Sequence, residues 1–111
     1  MKWLTDVLDA TGIYYIEDGW APMRPPNDAP CCVYHDEIVC DGPDECVSWS
    51  VHSVTVDLYD DGDKAGRAAR KAIANALKDA GIKFSTYEPT YIYSEKKYMT
   101  VFYLEDHYEK E

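Results

Sequence analysis

A chain of 111 residues has the length of one domain, 1–111, with room for a single modest core. Its 46% hydrophobic and 14% aromatic content argues against a disordered chain. Its formal net charge of −10 argues against a surface built to hold nucleic-acid phosphates. No apolar run approaches the roughly 20 residues of a membrane span. The start, Met1 to Asp6, lacks the apolar stretch of a signal peptide, so synthesis and residence in the cytoplasm are expected.

Trp3, Leu4, Val7 and Leu8 share one face of an N-terminal helix, with Asp6 and Asp9 opposite and Gly12 placed to end it. Ile13 to Ile16 reads as a short strand or a segment lying on the core. The stretch 19–30 holds four prolines, Pro22, Pro25, Pro26 and Pro30, and reads as a loop, since proline cannot donate to a sheet ladder. Cys31 to Cys40 is apolar enough for a strand, and Asp41-Gly42-Pro43-Asp44 signals a turn.

Cys46 to Tyr59 predicts a long central strand. His52, Val54, Val56 and Leu58 lie on one side, expected to meet a helix. Val51, Ser53, Thr55, Asp57 and Tyr59 lie on the other, expected to be exposed or to pack on a neighbour. From Lys64 to Ala80 a helix is predicted with Ala65, Ala69, Ala72, Ile73, Ala76, Leu77 and Ala80 as its apolar stripe and Arg67, Arg70, Lys71, Lys78 and Asp79 on its wet side. Asp61 or Asp63 caps its start and Gly81 ends it. Gly81-Ile82-Lys83-Phe84 restarts the chain as a strand, Tyr91 to Leu104 reads as a hairpin, and 105–111 as a frayed, acidic tail. The sum is an α+β domain: a mainly antiparallel sheet of four or five strands with two helices packed on one face.

Ordered along the chain, the features are a helix ending at Thr11-Gly12-Ile13, a Tyr14-Tyr15 segment, a strand carrying Val33-Tyr34, and an Asp41-Gly42 turn. A long strand closing on Asp57-Leu58-Tyr59, a helix, Gly81-Ile82-x-Phe84 and the hairpin Tyr91-Ile92-Tyr93-Ser94-Glu95 follow. This order resembles the tail terminator, or tail completion, proteins of long-tailed bacteriophages. The four cysteines and the Met23–Pro30 loop depart from that pattern. The resemblance implies a structural virion protein that forms a hexameric ring on the tail tube, stops tail growth and offers the surface joining tail to head. It implies as partners other copies of the chain, the tail tube protein and a head-completion or connector protein. DNA would pass through the ring without specific binding, and no membrane or cofactor is involved. The expected location is the virion neck, after assembly in the host cytoplasm.

The residues themselves offer little catalytic chemistry. Cys31, Cys32, Cys40 and Cys46 lack the paired knuckles of a structural zinc site, and neighbours on a strand point to opposite faces. A site built from one of the first two with Cys40, Cys46 and His35 is the alternative to buried thiols, as is a Cys40–Cys46 bridge in an oxidising medium. Cys32 with His52 or His107 lacks the local signature of a thiol protease. Asp57, Asp60, Asp61 and Asp63 resemble part of a calcium loop. Counted from Asp57, however, the twelve-residue pattern ends on Ala68 where a bidentate Glu is required. No catalytic or metal-binding residue is assigned.

Ring contacts need large side chains on the surface, and aromatic residues are enriched at interfaces. Trp20, Met23, Trp49, Tyr91, Tyr93 and Tyr98 are the expected interface residues, against membership of the chain's own core. Two alternatives accompany this reading: another neck component, such as a head-closure or adaptor protein, and an acidic inhibitor that mimics DNA towards a basic host protein.

Overall fold

A computed structural model describes residues 2–17, 30–39 and 49–110. Helix α1 (Lys2–Thr11) is followed by strands β1 (Tyr14–Glu17), β2 (Cys31–Val39) and β3 (Trp49–Asp60), helix α2 (Lys64–Asp79), and strands β4 (Phe84–Thr86), β5 (Thr90–Ile92), β6 (Lys97–Leu104) and β7 (His107–Lys110). The class is α+β as expected, but the sheet has seven strands and is mixed. β1 lies parallel to β2, and every other pairing is antiparallel. The spatial order is β1-β2-β3-β6-β4, with β5 also on β6 and β7 also on β3. The short strands have only three or four residues each, too little pattern to be read.

β3 is the organising strand because it is long enough to take two partners along one edge. Residues Thr55 to Asp60 pair with β6 and Trp49 to His52 pair with β7. Thr55 lies opposite Tyr103 and His52 opposite His107, so β3 spends two residues where the partner spends three. The extra residue is a β-bulge between β6 and β7, and it resets the facing of every side chain beyond it. His107 thereby turns to the helical side and stacks on Trp3 of α1, ring centroids 4.2 Å apart. The segment expected to be a frayed tail is therefore a paired strand.

The core fills one face. Val54, Val56 and Leu58 of β3, Cys32 and Tyr34 of β2, and Phe102 and Leu104 of β6 meet Leu4, Val7 and Leu8 of α1 and Ala69, Ile73 and Leu77 of α2. Fully burying each large aliphatic side chain contributes about 1.5–3 kcal/mol. On the other face, Cys31 and Val33 are also buried, while Val51, Ser53, Thr55, Asp57 and Tyr59 are half-buried. That side is thus less open than its polar pattern suggested.

The predicted stripe of α2 holds through its middle, with Ala69, Ile73 and Leu77 buried and Ala72 and Ala76 half-buried, and fails at its two ends. Ala65 and Ala80 are exposed, and the buried row is Gly66, Ala69, Ile73 and Leu77. Gly66 belongs to it because the Asp60 carboxylate occupies the space beside it: a Cβ there would lie 2.5 Å from Asp60 Oδ1. Asp63 is the N-cap, its side chain accepting from the Gly66 N–H at 2.9 Å. At the other end the Gly81 N–H donates to the Lys78 carbonyl and the Ile82 N–H to the Leu77 carbonyl. With Gly81 at φ +74 this is a Schellman close, and Ile82 folds back on the core beside Leu77.

Candidate functional site

Three of the six exposed aromatic side chains among the described residues meet where β5 turns into β6, while Tyr14 lies on β1 at the opposite sheet edge. Residues 93–96 make the turn, and Ile92 pairs with Lys97 across it. Tyr91 and Tyr98 are direct cross-strand partners, so their rings share a face and meet edge-on at 5.0 Å. Tyr93, in the turn, meets Tyr91 edge-on at 4.9 Å. Such edge-to-face contacts contribute about 0.5–1.5 kcal/mol beyond area burial. The three rings still face solvent, at 38% for Tyr91, 84% for Tyr93 and 38% for Tyr98.

Tyr98 is held from beneath. A Cβ on Gly62 would lie 2.6 Å from its ring, so the ring rests directly on the backbone of the turn before α2. That turn is fixed in its own way: the Gly62 N–H donates to Asp60 Oδ1 at 2.7 Å, and Asp61 pairs with Lys97 at the start of β6. The tyrosines thus form a patch that joins the hairpin to the N-terminal end of α2 through Tyr98. A second aromatic pair, Tyr87 with Tyr103, lies along the same sheet edge, with Tyr87 73% exposed.

Of the interface residues expected from sequence, the structure brings Tyr91, Tyr93 and Tyr98 together. Trp49 opens β3, at the far end of that strand from the Asp60–Tyr98 pair. Trp20 and Met23 lie outside the described residues, as do Cys40, Cys46 and the Asp41-Gly42 turn. Tyr87 and Tyr103 were not among the expected residues. Their signal was available, since Tyr103 alternates with the inward Phe102 and Leu104.

The acidic group does not converge on one point. Asp57 faces away from the helices and contacts His35, Nε2 to Oδ2 at 3.0 Å. Asp60 points the other way and is buried, Asp61 pairs with Lys97, and Asp63 caps α2. Among the described residues no cluster of His, Cys, Asp and Glu has the arrangement of a metal site. Cys31 and Cys32 are free and buried on opposite faces of β2. Burial pushes their thiols up, to about 11 and about 12, away from the thiolate that nucleophilic chemistry uses. His52 of β3 is buried against Asp36 of the neighbouring β2, Nδ1 to Oδ1 at 2.8 Å, a cross-strand pair. Among the described residues no helix is long and apolar enough to cross a membrane.

These features describe an α+β protein that carries, among the described residues, a cluster of three exposed tyrosines at the β5–β6 turn. Comparison with protein-family models and with curated proteins returned no match.

Proposed function

We propose that this chain is a non-catalytic structural subunit that self-associates into a ring, hexameric in the tail terminator family it resembles. The ring caps the phage tail tube, ends its elongation and presents the surface that joins the head. Its partners are further copies of itself, the tube protein and a head-completion or connector protein. The observation that carries the reading is the Tyr91–Tyr93–Tyr98 patch: three rings in mutual edge-on contact with exposed faces, Tyr98 seated on Gly62. A side chain already held in place loses little entropy on docking, which is why rigid tyrosines make efficient contact residues. Head-to-tail closure of such a patch on a different surface of the next copy builds a ring. The net charge of −10 suits a lumen through which DNA slides without sticking.

The test is the mass of the protein in solution across a concentration series, with and without added tail tubes, for the natural chain and for Tyr93→Ala. The expected result is a ring, or a monomer that becomes a ring on tubes, weakened by about 2 kcal/mol in the variant. A monomer at every concentration that ignores tubes overturns the proposal and favours the acidic inhibitor.

A further inference from the structure

On the helical side, between α2 and the β4–β5 link, lies an open cleft of about 700 Å³. Arg67, Arg70 and Lys71 line one wall, Tyr87 and Glu88 the other, and Thr100 and Phe102 the inner end. The charge is unusual for this chain, which carries 21 acidic against 11 basic residues. Lys2 and Lys97 are paired with Asp6 and Asp61, whereas Arg67, Arg70 and Lys71 make no ion pair among the described residues. Their i, i+3 and i+4 spacing on one helix sets like charges side by side, which costs stability in the isolated subunit. Thr100 adds an independent sign. Its residue is 2% exposed, its hydroxyl has no hydrogen-bond partner among the described residues, and it lines the cleft. An unsatisfied buried hydroxyl is costly, so the inner end of the cleft is a strained place in the isolated subunit.

We infer that this cleft receives a carboxylate-bearing segment of a second copy of the chain. The inference rests on the ring reading and specifies its contact. Copies that each carry −10 repel one another, so their association needs a seat where the repulsion is reversed. The cleft supplies three cations for an acidic segment. It is also continuous with the tyrosine patch. The 86–89 segment that lines it leads directly into β5 and Tyr91, and Arg67 sits one turn into the helix that begins beside Tyr98 and Gly62. A wide, open groove suits a protein segment better than an enclosed small molecule.

The experiment compares assembly of the natural chain with two double variants of equal net charge, Arg67→Glu/Lys71→Glu in the cleft and Lys78→Glu/Lys83→Glu outside it. All four positions are exposed, so both variants are expected to fold, as far-ultraviolet circular dichroism checks. Sedimentation velocity over a concentration series is the readout. The cleft variant is expected to raise the dissociation constant by about tenfold or more relative to the matched control. Equal weakening in both variants, or none in either while the natural chain assembles, overturns the cleft and leaves the ring reading standing. A natural chain that stays monomeric with and without tail tubes overturns both.

Discussion

Gly66 shows how one residue ties the sheet to the helix. In an exposed helix, Gly→Ala gains about 1 kcal/mol through propensity. Here the new methyl would meet Asp60 Oδ1 at 2.5 Å and Cγ at 2.6 Å, and Asp60 is itself buried and tied to the Gly62 N–H. Neither side can give way cheaply, so overpacking outweighs propensity. Gly66→Ala is expected to lower stability by about 1–3 kcal/mol in urea unfolding; a gain would show that the helix shifts freely. Thr100 runs the other way. Replacing its buried, unpartnered hydroxyl with the methyl of valine removes a desolvation cost, and Thr100→Val is expected to stabilise the isolated subunit by about 1 kcal/mol. An unchanged or lower melting temperature would mean that the hydroxyl is already satisfied. Neither residue announces itself in sequence. Gly66 looks like one more small residue in an alanine-rich helix, and Thr100 like an ordinary strand threonine. Their roles depend on what the fold brings against them.

At the level of elements, the long periodic segments were legible and the short ones were not. Leu4, Val7 and Leu8 in α1, the alternation Val54, Val56, Leu58 in β3, and Gly81 as the close of α2 all follow from spacing and backbone chemistry, because each pattern repeats often enough to define a face. β7 had no such pattern. Its sequence is charged, and it becomes a strand because β3 leaves the edge Trp49–His52 open and a bulge after Leu104 turns His107 towards Trp3. Of the candidate site, the hairpin tyrosines were legible as exposed aromatics, but their mutual packing and their seat on Gly62 needed the cross-strand register. The Asp57–Asp63 acids read as a cluster only while the alternation of strand faces was ignored. The role of β7 is open to test by ending the chain at Asp106. Loss of the ladder and of the Trp3–His107 stack is expected to destabilise the protein by about 2 kcal/mol or more, read as a lower urea midpoint. A truncated chain as stable as the natural one would restore the reading of this segment as a dispensable tail.

For the whole molecule, the buried thiols and phenols set a direction for stability against pH. Cys32 is pushed up to about 12 by burial and then by the neighbouring Cys31 and Asp57, and Cys31 to about 11 by burial. Burial likewise raises Tyr34, and it raises Tyr59 to about 12. Tyr15 reaches about 12 chiefly because its hydroxyl donates to Asp9, at 2.6 Å. Each is an acid that loses its proton more readily in the unfolded chain than in the folded one. Below about pH 9 both states are protonated and this contribution to stability is whole. As pH rises, the unfolded chain ionises first and binds fewer protons than the native state, so stability falls until the folded values near 11 and 12 are reached. The loss from Cys32 alone is about 1.4 kcal/mol for each pH unit above 9. Each new anion also adds to a chain already at −10, so no opposing electrostatic gain offsets it. Unfolding midpoints measured from pH 7 to 11 are therefore expected to be level to about pH 9 and then to drop. Cys32→Ala separates this thiol from Cys31 and the tyrosines. The variant is expected to be weaker at pH 7 because a core side chain is trimmed, yet to decline less steeply above pH 9. Parallel curves for the two proteins would show that the Cys32 thiol is not what the alkaline limb reports and would move its origin to Cys31 and the tyrosines.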